Sequence, residues 1–361
     1  MSLIQPTRTI CTRCSRLTLT INQSKSLKFH NYRSFASSSS SRSTNRLNHQ
    51  NRKWPRLALT ILGITIPTTY LFFPNNNSKK SLKPNEYSDQ KVTSIKTLSN
   101  QHKLITIPID FKSKEFFENP FKIDGNFSNK ENNEIVIQHI MIKSNDLQIE
   151  RPYTFINDPL NDNEIRMVIK RVQGGEVGRV VHNLKDGDSI GVRGPIPTFS
   201  IYPNKYDKII MISTGTGISP FLQFLSKLSS SSSSSNNKLI KDKNLPKLHL
   251  IHLKPLKGKE DWSNSNEDES FLPFLTNKSN LKDKLKITRI ELDEFLNKEL
   301  ILNSLKGFKD IEKNQNVLFL ICLPPNLMKP LCGNILPNRQ GPITGILGEM
   351  GLTNEQVWKL D

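Results

Sequence analysis

Three short segments, met in a fixed order, constrain this chain more than anything else in its 361 residues. They are Arg151-Pro152-Tyr153-Thr154, then Gly174-Gly175 with Val192-Arg193-Gly194-Pro195, then Gly215-Thr216-Gly217-Ile218-Ser219-Pro220. A strand sends residues i and i+2 to one face, so Arg151 and Tyr153 should point the same way and Pro152 the other. A guanidinium fork suits a diphosphate, and a ring two residues further on can pack against a flat heterocycle. Alone, the first segment reads as an ordinary edge strand, where Pro is at home. The two glycine-bearing segments behind it tip the reading toward a nucleotide-cofactor site.

Around these segments the sequence pattern divides in two. Before Ile201 it shows short β segments at Lys103–Ile109, Glu134–Ile142, Tyr153–Phe155, Ile165–Arg171 and Ser189–Val192. Asn/Asp/Gly turns such as Lys185-Asp186-Gly187-Asp188 separate them, and no strong helix intervenes, which predicts a small antiparallel barrel over residues 84–204. From Tyr206 the pattern alternates: apolar runs at Lys208–Ser213, Lys247–Leu253, Leu285–Ile290 and Val317–Cys322, helical spacing at Phe221–Leu228 and around Asp293–Leu305. Strands alternating with helices predict a parallel sheet covered on both faces, over residues 205–361. The expected fold is therefore a β barrel followed by an α/β domain. Ser219 before Pro220 reads as an N-cap with Pro in the first helical position. The run Ser229–Ser235 with Asn236-Asn237 reads as a flexible insertion.

The formal charge of +18 invites a nucleic-acid partner, but its distribution excludes one. Residues 1–56 hold eleven Lys or Arg and no acid, while from residue 84 onward 37 basic residues face 33 acidic ones. No basic stripe is interleaved with aromatics. An Arg- and Ser-rich, acid-free leader has the composition of a mitochondrial presequence, with cleavage expected after Phe35. Residues 36–83 follow as a linker containing Leu57–Phe73, seventeen residues without a charge. That length is the lower limit for one membrane span. Trp54 and Tyr70 sit near its ends, and the Lys/Arg excess on the N-terminal side places the large domain in the intermembrane space of the inner membrane. Cys11-x-x-Cys14 falls in the leader, and the seven histidines show no metal-ligand spacing.

The residues also resemble a known family over roughly 95–361: the ferredoxin–NADP reductase superfamily, in its cytochrome b5 reductase branch. Arg151, Tyr153 and Thr154 match its Arg-x-Tyr-Thr flavin motif. Gly174-Gly175-Glu176-Val177-Gly178 aligns with its Gly-Gly-x-x-Ser turn, and Gly215-Thr216-Gly217-Ile218-Ser219-Pro220 with its Gly-Thr-Gly-Ile-x-Pro turn. Cys322-Leu323-Pro324-Pro325 stands where the family has Cys-Gly-Pro-Pro. The resemblance implies FAD held by Arg151, Tyr153, Thr154, Ile169, Gly174, Gly175, Val177, Gly178 and Ser219. It implies NADH or NADPH held by Gly215, Thr216, Gly217, Cys322, Pro324 and Pro325. No side chain is implied as a catalytic acid or base.

Leader, span and Gln148-Ile149-Glu150-Arg151-Pro152-Tyr153-Thr154 together look like the fungal mitochondrial flavoproteins of cytochrome c import. That implies NAD(P)H-dependent reduction of haem, with cytochrome c and its haem lyase as partners. Four departures from the pattern stand out: Gly178 in place of Ser, Glu176 beside a diphosphate, Leu323 in place of Gly, which adds bulk where the nicotinamide should approach, and no aromatic at the C-terminus, where Trp358 is the nearest candidate cover. Two alternatives stay open. One is a general electron-transfer reductase; the other is a non-catalytic flavoprotein scaffold for the haem lyase.

Overall fold

Residues 81–121, 134–144, 148–233, 245–255, 261–264, 281, 284–291, 316–337 and 339–360 are described by the computed structural model, all within the unit Asn76–Asp361. The expected leader, the segment Leu57–Phe73 and the expected helix at Asp293–Leu305 lie outside the described residues. Among the described residues no helix is long and apolar enough to cross a membrane.

Apolar residues at every second position build the first half. Its strands are β1 (Ser88–Lys91), β2 (Ser94–Ser99), β3 (His102–Pro108), β4 (Ile135–Lys143), β5 (Glu150–Thr154), β6 (Glu164–Lys170) and β7 (Ser189–Ile201). They form two antiparallel sheets, β1-β7-β4-β5 and β2-β3-β6. Ile105, Ile107, Ile165, Met167 and Ile169 of one sheet meet Ile140, Ile142, Ile190 and Val192 of the other in a shared core. The expected single barrel is thus two ladders facing each other. β5 is an edge strand, and Pro152 in its middle has no N–H to donate to a further neighbour.

Three helices that the strand-rich pattern hid also belong here: α1 (Phe111–Glu118), α2 (Pro159–Asp162) and α3 (Glu176–Asn183). Asp110 caps α1 by accepting from the Ser113 N–H at 2.9 Å. Helix α3 buries Val177 and Val181, one turn apart, in the shared core.

The second half follows the expected alternation. Strands β8 (Lys208–Thr214), β9 (Lys247–Lys254), β10 (Leu285–Glu291), β11 (Val317–Cys322) and β12 (Val357–Leu360) pair in parallel in the order β10-β9-β8-β11-β12. Helix α4 (Ser219–Ser233) covers one face, packing Phe221, Phe224, Leu225 and Leu228 on Ile209, Met211, Leu250 and Leu320. Helices α5 (Pro325–Cys332) and α6 (Gly345–Glu349) cover the other, where Leu327, Leu331 and Leu347 meet Ile210, Ile212, Phe319 and Ile321.

Two local expectations are corrected here. Ser219 is already helical (φ −53°, ψ −47°) behind a 3₁₀ turn at Gly215–Ile218, so it is no extended N-cap. Helix α4 also runs into the serine tract as far as Ser233, because the apolar stripe upstream carries a middling helix former with it.

The halves share one apolar cluster, in which Leu104, Ile137, Val168 and Phe199 meet Ile218, Phe221 and Leu225. Polar bonds cross the same seam. The Gln223 side chain accepts from the Gln138 N–H at 2.8 Å and donates to the carbonyls of Gln138 and Phe155 at 2.9 and 2.8 Å. One turn on, Lys227 Nζ donates to the Val136 carbonyl and to Gln138 Oε1, both at 2.8 Å.

The last strand is anchored from beneath. The buried Lys359 ammonium donates to the carbonyls of Asn334 (3.0 Å) and Pro342 (3.2 Å). The Gln340 amide brackets the Lys359 backbone, which fixes the position of Leu360.

A cofactor-sized cleft between the two halves

In a parallel sheet of this order, the strand order reverses between β8 and β11, and the loops leaving their C-terminal ends part to leave a crevice. Here that crevice opens toward β5 of the first half. It forms a cleft of about 740 Å³, within the size range of small-molecule and cofactor sites.

On the first-half wall, Arg151, Pro152, Tyr153 and Thr154 all border the cleft. The expected two-face alternation is therefore incomplete: at the edge of the sheet Pro152 reaches the cleft as well. Arg151 is exposed, and its Nη1 donates to the Glu150 carbonyl at 2.8 Å. Tyr153 is half-buried, and burial raises its phenol pKa while Arg151 opposes the rise; the ring is a neutral platform at physiological pH. Glu150 points elsewhere, held by Arg193 at 3.1 Å and by the Tyr87 hydroxyl.

Beneath this strand the chain turns at Gly174, whose φ of +74° favours glycine, with open space where a Cβ would sit. Gly175 then leads into α3, so Gly174, Gly175, Val177 and Gly178 all border the cleft at a helix N-terminus. A Cβ on Gly178 would lie 3.3 Å from the Lys170 carbonyl, so the absent Ser lets α3 sit close to the end of β6. The charge of Glu176 is taken up locally. Arg179 binds both its oxygens, at 3.0 and 2.6 Å, and holds its carboxyl below the usual range. With Arg151 and Lys170 on the walls and free amides at the head of α3, this end fits a diphosphate.

The second-half wall comes from Thr216, Gly217, Ser219, Pro220 and Cys322. Gly215 takes φ +53° and makes the turn without bordering the cleft. Gly217 lies so close to β11 that a Cβ would meet the Cys322 carbonyl at 2.7 Å and its Sγ at 3.0 Å. Small residues here let the turn after β8 come close to the end of β11.

Four expected residues lie off the cleft. Ile169 is fully buried in the first-half core; strand alternation presents its neighbours Val168 and Lys170 to the cleft instead. Gly215, Pro324 and Pro325 do not border it. Leu323 also turns away, only 6% exposed among Leu327, Met328 and Leu331, and with Pro325 it lines a separate hollow. The bulk expected to obstruct the nicotinamide end is therefore elsewhere. Trp358 is 41% exposed and does not cover the cleft; Leu360, paired in register with Cys322, borders it.

Lys170, Thr198, Phe199 and Leu360 were missed by the sequence reading. Lys170 could have been inferred from the alternation in β6. Thr198, whose Oγ1 lies 2.8 Å from His139 Nδ1, comes from far along β7 and carries no motif.

A family model described as "Oxidoreductase FAD-binding domain" matches residues 126–201. The chain is 30% identical over 210 residues to NADH-cytochrome b5 reductase 2 of Meyerozyma guilliermondii, covering 58% of this chain and 67% of that one. It is 26% identical over 315 residues to NADH-cytochrome b5 reductase 2 of Yarrowia lipolytica, covering 85% and 98%. Among solved structures, the cytochrome b5 reductase domain of Ulva prolifera nitrate reductase matches 77% of this chain and 99% of that one, at 15% identity and a TM-score of 0.49.

Proposed function

Since this chain belongs to the cytochrome b5 reductase family of FAD-dependent NAD(P)H oxidoreductases, we propose that it passes electrons from a nicotinamide nucleotide to a one-electron haem acceptor. FAD and NAD(P)H are its cofactors, as in the family. Bound FAD would supply the exchange between hydride acceptance and single-electron delivery; the protein binds, orients and excludes water. In this reading Arg151 and the head of α3 hold the diphosphate, Tyr153 and Thr154 hold the ring, and Ser219 borders it. Thr216, Gly217 and Cys322 receive the nicotinamide. Ile169, Gly215, Pro324 and Pro325 support these contacts from behind. The flavin side falls within residues 84–204 and the nicotinamide side within 205–361.

One observation carries the proposal. Eleven of the fifteen residues expected at the site from sequence converge on one cleft at the sheet's switch point. That Leu323 lies outside that cleft favours catalysis over a non-catalytic scaffold. The relatives' names point to a cytochrome b5-type acceptor. Reduction of haem for attachment to cytochrome c, with the haem lyase as partner, is the narrower reading. Its support is the acid-free leader and the uncharged segment 57–73. The same features support an inner-membrane anchor with the catalytic part facing the intermembrane space.

The test is an anaerobic absorption spectrum of the detergent-solubilised chain before and after NADH or NADPH. Cytochrome b5, cytochrome c, haemin and ferricyanide are then offered in parallel. A yellow protein bleached by either nucleotide is expected, and protein that stays colourless with excess FAD refutes the reading. Protease protection in mitoplasts and carbonate extraction test the location.

A further inference from the structure

Whatever binds in the cleft, its two walls belong to different halves of the molecule, so something must fix the distance between them. The structure assigns this role to Gln223: we propose that it is a positioning residue that sets the gap between the flavin wall and the nicotinamide wall. The inference deepens the reductase reading and rests on it.

Gln223 sits one turn into α4, four residues after Ser219, which borders the cleft. Its amide is fully buried and meets Phe155, the residue that follows Thr154 on the opposite wall. Three bonds of 2.8–2.9 Å use its oxygen and its nitrogen. In the pairing of β4 with β5 the register ends at His139–Thr154. At the next position the Gln223 amide bonds to the backbone of both Gln138 and Phe155, continuing the ladder across the seam. On its other side Gln138 is in register with Pro197, which has no N–H to offer. Lys227 grips the same strand one turn later. The surrounding apolar contacts could tolerate sliding, whereas bonds from both ends of one planar amide define a single register. The arrangement is rigid where hydride transfer needs fixed geometry, and about 1 Å of misplacement is enough to cost roughly 100-fold in rate.

The test uses the full chain with Gln223→Met, which keeps length and volume but loses the bonds, and Gln223→Asn, which keeps the amide but is too short. Lys227→Met serves as a milder variant should either fail to fold. Three quantities are read: FAD dissociation constant, the rate of flavin bleaching under stopped flow by NADH and by NADPH, and the distance distribution between spin labels placed through non-natural amino acids at exposed Phe111 and Trp358. Both Gln223 variants are expected to bind FAD within threefold of the wild type, because the diphosphate grip lies in one half. Bleaching should slow at least tenfold per bound flavin, with kcat rather than KM affected, and the label distances should broaden. Lowered thermal stability with an unchanged bleaching rate and an unchanged distance distribution overturns the proposal. A wild type that binds FAD without being bleached sinks the reductase reading instead; the label distances then still decide the positioning role.

Discussion

Replacing Gly217 by Ala adds one carbon at the most crowded of the glycines that border the cleft, and the consequence can be worked from its neighbours. The new Cβ would lie 2.7 Å from the Cys322 carbonyl oxygen and 3.0 Å from its Sγ. Ordinary contact needs the atoms roughly half an ångström further apart. The oxygen is backbone, so the turn at residues 215–218 or the end of β11 must move. Overpacking of this kind costs about 1–3 kcal/mol, and in a domain of this size each kcal/mol lowers Tm by roughly 2–4 °C. A melting point lower by roughly 2–12 °C is therefore expected from a thermal scan of the FAD-free protein. In this reading the displaced strand ends receive the nicotinamide, so bleaching by whichever of NADH and NADPH reduces the wild type should slow about tenfold while FAD affinity stays near that of the wild type. Gly174→Ala is the matched control: its Cβ would meet nothing within 4 Å, but its φ of +74° is left-handed, costing about 1–2 kcal/mol. It should lower Tm and weaken FAD while leaving the bleaching rate per bound flavin unchanged. If the two variants gave the same profile, or if Gly217→Ala left both melting and bleaching untouched, the assignment of the walls would be wrong.

Other outcomes follow from the same geometry. Arg151→Ala should weaken FAD by roughly 10–150-fold in fluorescence titration, the loss of a charge-assisted bond, with the melting point of the FAD-free protein unmoved. Arg179→Ala should weaken FAD as well, by leaving the Glu176 charge unpaired at the head of α3, and the double variant with Glu176→Gln should recover most of the loss. His252 is 1% exposed, and burial pushes its pKa down to about 4. Between pH 6.5 and 4 the unfolded chain therefore binds a proton there that the folded chain does not. Stability falls as pH drops through that window, by up to about 3 kcal/mol. Urea midpoints measured from pH 7 to 4 should show the slope; His252→Gln should reduce it, leaving the share of His249, whose pKa burial likewise pushes down to about 4.

Much of this was legible in one dimension. Period-two apolar patterning located β3, β4 and β6 to within a residue or so, and continuous apolar runs located β8, β9 and β11. The cofactor motifs were readable because each is local: a guanidinium and a ring two residues apart, or glycines where backbone must approach a phosphate. What escaped reading was set by neighbours distant in the chain. Helix α3 looked like a mere turn because its helical content is two valines whose burial partners lie on β3 and β6. Leu323 looked like an obstruction because its side-chain direction depends on how α5 docks under the sheet. Leu360 and Thr198 carry no motif at all, since only the register of β12 on β11 and of β7 on β4 brings them to the cleft.

The sequence by itself determined the chemistry available: which residues can grip a diphosphate, lie flat against a ring, or let a backbone come close. Those properties are covalent, or depend on residues a few positions apart. The tertiary structure alone decided which of them share a cavity and across what gap. That gap is set by sheet register and by a buried amide bridging two halves, and such contacts join residues 68 and 85 positions apart, beyond the reach of any local pattern.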